Sequence, residues 1–308
     1  TKPMVVLQKM LVLFLIMLVG YEASKKQLLT KEVSQKLSGI IINIANPCMI
    51  LSSVLDGDLK SIQKSSIWFV LLLAWIVYAI LMLIAEIVPR LLRVPQKDFG
   101  MYRMMTVFTN MGYMGFPIIK SIYGNAALLY ASLFMIPFDF LIYTYGIIVI
   151  KKDGWRQGVK VRELCNNGVI ACVLMIILLF SGIRVPQILS DSINTIADMT
   201  VPVSMMIIGA SMAEINLSEL FCDIKLLVFS FMHLIIIPII VILPIMKIIT
   251  QPEIIGITLV VIATPVGSLA AMMAQEYGGD YRLASKGVAI TTLLSVGTIP
   301  LVFAVLGL

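Results

Sequence analysis

Residues Asn110–Pro117 read Asn-Met-Gly-Tyr-Met-Gly-Phe-Pro, and residues 263–268 read Ala-Thr-Pro-Val-Gly-Ser. Each stretch interrupts an apolar run that otherwise has the length of a membrane-spanning helix. Proline cannot donate a backbone hydrogen bond and clashes with the preceding turn, and glycine loosens the same region. Such an interruption at membrane depth is tolerated only where the freed groups face protein or a water-filled cavity. The two stretches therefore predict two broken helices. Each half-helix that restarts after its break aims a positive dipole end and free N–H groups into that cavity, which suits an anion. The plainer alternative is that Pro and Gly only kink two packing helices.

The surrounding composition requires lipid. The chain of 308 residues is 60% hydrophobic and only 13% charged, with a mean hydropathy of +1.02, whereas soluble domains carry roughly 25% charged residues. This excludes a disordered chain, a coiled coil and a secreted disulfide scaffold. The formal charge of +6 does not imply nucleic acid as a partner, because that reading needs a basic face on a soluble module. A bilayer core needs about 20 apolar residues per helix. Ten candidate spans follow, near 4–22, 36–55, 66–88, 100–122, 126–150, 166–183, 190–213, 224–246, 253–276 and 284–307. They fill nearly the whole chain and leave no soluble domain. The first lacks a small-residue cleavage pattern and reads as a retained helix.

Basic residues orient the spans. Lys25, Lys26, Lys31 and Lys36 follow span 1, and Arg90, Arg93, Lys97 and Arg103 flank the loop after span 3. Lys151, Lys152, Arg156, Lys160 and Arg162 follow span 5, and Lys225, Arg282 and Lys286 lie on the same side. By the positive-inside rule these odd-numbered loops are cytoplasmic and both termini lie outside, in a multi-pass protein of the plasma (inner) membrane.

Enzymatic chemistry finds little support. Cys48, Cys165, Cys172 and Cys222 form no CxxC pair and read as small apolar fillers and reduced thiols. The 20 Met residues read as core packing. A single His, thinly spread acids and the absence of HExxH or GxSxG argue against an intramembrane hydrolase. No cofactor is expected, and no metal beyond a coupling Na⁺.

The two halves show weak similarity to one another. Leu37–Ser53 lies over Ser192–Ile208, so that Pro47 falls on Pro202 and Asn43 on Asp198. Pro117 answers Pro265, and Tyr123-Gly124-Asn125 answers Tyr277-Gly278-Gly279. Five spans per copy is an odd number, so the second copy must sit upside down. The expectation is an all-α membrane protein built as a 5+5 inverted repeat: residues 1–150, a cytoplasmic loop over 151–163, and residues 164–308. Inverted repeats are the plan of many secondary transporters, with the substrate at the broken helices.

At these residues the chain resembles the auxin efflux carrier family, which includes plant PIN auxin carriers and bacterial malate or malonate permeases. NMGYMGFP at Asn110–Pro117 is similar to the family's first crossover, and Ile262–Tyr277 followed by Gly278-Gly279-Asp280 resembles its second. Ile196–Ala210 resembles its seventh span. The resemblance implies a fold like that of sodium/proton antiporters and bile-acid transporters, with spans 4 and 9 crossing as broken helices at Pro117 and Pro265. It implies a scaffold of spans 1, 2, 6 and 7, a moving transport domain of spans 3–5 and 8–10, elevator-type transport, and a homodimer formed through the scaffold. The loop between spans 5 and 6 is long in the plant carriers and short here, which suits a bacterial member.

The function expected is secondary active transport of a small organic anion, a dicarboxylate or an auxin-like carboxylate. An ion-coupled carrier for another amphipathic substrate, or a transporter-like sensor without flux, stays open. The candidate substrate residues are Asn110, Gly112, Gly115 and Pro117 in span 4, Thr264, Pro265 and Ser268 in span 9, and Asn43 and Asn46 in span 2. Asp139 is an acid near the middle of span 5. Repeat symmetry sets Thr291, Thr292 and Ser295 at similar depth, as oxygen ligands for a coupling proton or Na⁺. The alternative for Asp139 is a protonated acid that locks helices together. The amides could equally be interhelical glue. His233 and Lys120 read more simply as a packing residue and a snorkelling lysine.

Overall fold

The computed structural model describes residues 2–55, 64–150, 167–183, 185–213 and 223–308. The loop expected over 151–163, Cys165 and Cys222 lie outside these residues. Among the described residues the protein is all helical, with one isolated β-bridge between Thr109 and Val266. Six helices among the described residues are long and apolar enough to cross a membrane: Lys31–Leu55, Ser66–Leu91, Asn125–Ile150, Gln187–Ala213, Ile224–Ile248 and Tyr281–Leu306. The first candidate span is the 24-residue helix Lys2–Lys25, and the sixth is the shorter Asn167–Ser181. The two remaining candidates, spans 4 and 9, are broken.

Local chemistry sets several of the ends. Thr30, Asp223 and Asp280 each accept a backbone N–H of the first turn that follows, from Val33, Leu226 and Leu283 respectively. These side chains satisfy donors that a helix start leaves unpaired. Pro252 opens Pro252–Ala263, where its missing N–H is not needed.

The chain forms two compact units. The first contains Thr1–Leu72, Gly112–Ile136 and Cys165–Ile215, and the second contains Leu73–Met111, Pro137–Leu164 and Asn216–Leu308. In the first unit, helix Lys2–Lys25 lies backbone to backbone against Thr200–Ala213. A Cβ at Gly20 would collide with the Met206 backbone, and one at Gly209 with the Met17 carbonyl. Beside this pair, Ile41, Ala45 and Ile207 form a buried cluster, with Leu37, Tyr113, Ile196, Met199 and Val203 packed on it.

The second unit is centred on aromatic packing. The Phe138 ring meets Phe108 edge-on at 5.5 Å and Tyr78 at 6.3 Å, and Tyr102 meets Phe229 at 5.2 Å. Thr106, Ser230 and Thr258 are buried here, and each hydroxyl donates to the carbonyl four residues earlier in its own helix. Small polar side chains thus enter the apolar interior with their hydrogen bonds already made.

Candidate functional site

In the second unit two helices stop and their ends run past each other. Helix Phe99–Val107 ends at Phe108, whose backbone is extended at φ −103°, ψ 97°. Helix Pro252–Ala263 ends at Thr264, extended at φ −65°, ψ 151°. The two unwound segments then pair antiparallel, Thr109 against Val266. Asn110 donates its N–H to the Pro265 carbonyl at 2.7 Å, and Gly267 donates to the Phe108 carbonyl at 2.9 Å. A Cβ at Gly267 would stand 2.9 Å from the Thr109 carbonyl oxygen, so the approach of these two backbones requires a residue with no side chain.

Side chains complete the crossing. The Thr109 hydroxyl donates to the Val261 carbonyl at 2.7 Å. The Thr291 hydroxyl, from helix Tyr281–Leu306, accepts the Val266 N–H at 3.0 Å and donates to the Gly287 carbonyl at 2.6 Å. The His233 ring stands 3.2 Å from the Thr264 carbonyl. The Phe108, Val261, Thr264 and Pro265 carbonyls and the Asn110, Val266 and Gly267 N–H groups are thus paired within the unit, as unwound backbone away from water demands.

The break in span 4 corrects one expectation. It falls at Phe108–Asn110 and not at Pro117. Pro117 lies in the first turn of helix Phe116–Tyr123, where proline's fixed φ is compatible with a helix and no N–H is wanted. Between the break and that helix runs a wide π turn, Met111–Gly115.

Two segments of the chain, residues 5–160 and 155–303, match the family described as membrane transport protein. Together they take in almost the whole sequence. The chain belongs to the membrane transport protein family. A relative described as an uncharacterized transporter, from Methanocaldococcus jannaschii, is 23% identical over 221 residues, covering 68% of this chain and 70% of that protein. Membership makes the chain a multi-pass membrane transporter of the auxin efflux carrier family, and not an enzyme.

In this membrane transport protein the expected residues fall into two groups. Asn110, Thr264, Pro265 and Thr291 meet at the crossing in the second unit. Asn110 is 4% exposed. Ser268 is half-buried and opens helix Ser268–Tyr277, one residue after Gly267. Thr292 and Ser295 are buried one and four residues beyond Thr291. Their hydroxyls donate to the Val288 carbonyl at 2.6 Å and the Thr292 carbonyl at 2.7 Å, within their own helix. Asp139 is 5% exposed and follows Phe138, the ring that packs on Phe108. The Tyr78 hydroxyl lies within electrostatic reach of its carboxyl group.

The second group belongs to the first unit. The helix carrying Asn43 and Asn46 widens into a π turn over Ile41–Ala45, a distortion frequent at functional sites. Asn43 donates to the Gly39 carbonyl at 2.9 Å and accepts from the Asn167 amide at 3.1 Å. The Asn46 side-chain oxygen is buried and has no hydrogen-bond partner among the described residues. Its amide nitrogen would stand 3.2 Å from a Cβ placed at Gly112, so a larger residue at 112 would crowd this amide. Gly115 and Pro117 are buried. The Lys120 ammonium, at the far end of helix Phe116–Tyr123, pairs with Asp198 at 2.7 Å.

Thr109, Asn167 and His233 enter these groups without having been among the expected site residues. For His233 a signal was present in the residues themselves. A carbonyl that precedes proline in a broken helix needs a donor from elsewhere, and span 8 carries the one histidine of the chain.

Proposed function

We propose that this membrane transporter is a secondary active carrier of small organic anions, a dicarboxylate or an auxin-like carboxylate, working by elevator-type alternating access. The observation that carries the reading is the antiparallel pairing of two unwound segments at Thr109 and Val266. Helix Ser268–Tyr277 begins directly after it, and the chain becomes helical again at Met111, directly after Asn110. Interrupted helices whose restarting ends lie near midplane are the usual place where secondary transporters hold an anionic group.

In this reading Asn110 offers its amide to the substrate carboxylate, beside Thr264, Pro265 and Ser268. Asn43, Asn46, Gly112, Gly115 and Pro117 are further residues of the proposed substrate set. Asp139 carries a coupling proton or Na⁺, with Thr291, Thr292 and Ser295 nearby in depth. Ten spans form two inverted sets of five. Spans 1, 2, 6 and 7 act as a scaffold through which two copies associate, and spans 3–5 and 8–10 as the part that moves. Both termini lie outside the cytoplasm of a bacterial cell.

Flux into proteoliposomes tests the proposal. Labelled malate, malonate and indole-3-acetate are offered under imposed proton and Na⁺ gradients. Saturable, gradient-driven uptake of one of them is expected. Tight binding without flux would turn the assignment to a sensor, and neither binding nor flux would remove organic anions as the substrate class.

A further inference from the structure

His233 lies in the wide π turn Met232–Ile236, between Ile224–Phe231 and Ile237–Ile248. Its ring is 1% exposed and stacks on Phe229 with centroids 5.6 Å apart and planes 22° apart. Packing alone would be served as well by a phenylalanine. The ring does something a phenyl group could not, because Nε2 stands 3.2 Å from the Thr264 carbonyl oxygen.

That carbonyl has a specific need. In an unbroken helix it would accept the N–H of residue 268. The backbone leaves the helix at Thr264, and the chain turns helical again only at Ser268. Its acceptor would be orphaned in an apolar interior, an unfavourable state for a backbone group. A carbonyl can only accept, so Nε2 must carry the proton. In the neutral ring Nδ1 then presents a lone pair, and it has no hydrogen-bond partner among the described residues.

We propose that His233 is a positioning residue of the carrier: as the Nε2–H tautomer it holds the Thr264 carbonyl and so fixes the unwound segment against which Asn110 and the substrate are set. The inference rests on the crossing being the substrate-handling centre. The bonds around it give the mechanism. Pro265 is held by Asn110, Val266 by Thr291 and Gly267 by Phe108. His233 anchors the end of the segment nearest to helix Pro252–Ala263. Releasing that end leaves the other three bonds in place, so the segment keeps its partner but loses its set direction. The effect belongs in KM more than in folding.

The chain has a single histidine, so incorporation of ¹⁵N-histidine gives ring-nitrogen signals from His233 alone. The expected spectrum shows one protonated nitrogen, assigned to Nε2, and one unprotonated nitrogen, assigned to Nδ1. An Nδ1–H tautomer or a doubly protonated ring overturns the proposal. The second arm uses full-length protein in proteoliposomes with whichever of malate, malonate or indole-3-acetate the unaltered chain takes up. His233→Phe keeps the stacked ring and loses the donor, and KM is expected to rise about fivefold or more, the scale of one lost hydrogen bond. His233→Gln restores an N–H donor and is expected to recover most of the loss. Equal KM values for His233→Phe and the unaltered chain overturn the proposal. If the unaltered chain takes up none of the three anions, the substrate assignment fails while the nitrogen spectrum still decides His233.

Discussion

Asn110 and Pro265 are joined through their backbones, the N–H of one donating to the carbonyl of the other at 2.7 Å. The side chain of Asn110 takes no part in this bond, so its amide is separable from the crossing. Asn110→Ala should leave the paired segments intact, with thermal stability in detergent changed by no more than about 1 kcal/mol. Substrate affinity should fall about tenfold or more, the scale of one hydrogen bond to a charged group. A large loss of stability with unchanged affinity would make Asn110 a structural amide.

The hydroxyls on helix Tyr281–Leu306 should divide sharply. Thr291 is the acceptor for the Val266 N–H, so Thr291→Val leaves a buried donor unpaired, at about 1–3 kcal/mol. Thr292 bonds to Val288 of its own helix, and Thr292→Val should cost less than about 1 kcal/mol. Thr291→Ser keeps the oxygen and should restore most of the stability. Thermal unfolding of the three variants side by side measures the difference.

The membrane class and the break at Pro265 were legible in the residues, because the composition is apolar and a proline with a nearby glycine interrupts an apolar run. The other break was not. Phe108 and Thr109 contain no helix breaker, whereas the glycines and the proline of this span lie further along, at 112, 115 and 117. At the opening of the helix Thr109 pairs with Val266 and Phe108 accepts from Gly267, tertiary partners that no local propensity encodes. Depth in the membrane draws attention to Thr291, but the bond from the Val266 N–H to its hydroxyl depends on the fold. The burial of Asp139 was expected from its apolar neighbours. Its nearness to Tyr78 required the fold.

Gly20 and Gly209 allow helices Lys2–Lys25 and Thr200–Ala213 to meet with almost no side chain between them. Small residues let membrane helices approach closely, where packing replaces the hydrophobic effect as the driving force. Gly20→Leu or Gly209→Leu should each force the pair apart and cost about 1–3 kcal/mol. The double variant should cost less than the sum, because one separation accommodates both side chains. Yield of monodisperse protein and its unfolding temperature check this. Gly39, which has open space around its Cβ position, is the control and should accept Ala with little change.

Asp139 is the acid buried beside the aromatic packing of the second unit, with Phe138 bridging Phe108 and Tyr78. An ionised carboxylate in such surroundings is costly unless a proton or a cation joins it. Asp139→Asn keeps the shape and removes the ability to bind and release either. If Asp139 couples transport, this variant should still bind substrate and exchange it across the membrane, but should no longer concentrate it under a proton or Na⁺ gradient. Comparing counterflow with gradient-driven uptake in the same proteoliposomes separates these steps. Unchanged accumulation in Asp139→Asn would reduce the acid to a group that locks helices together, and the coupling ion would have to be sought elsewhere.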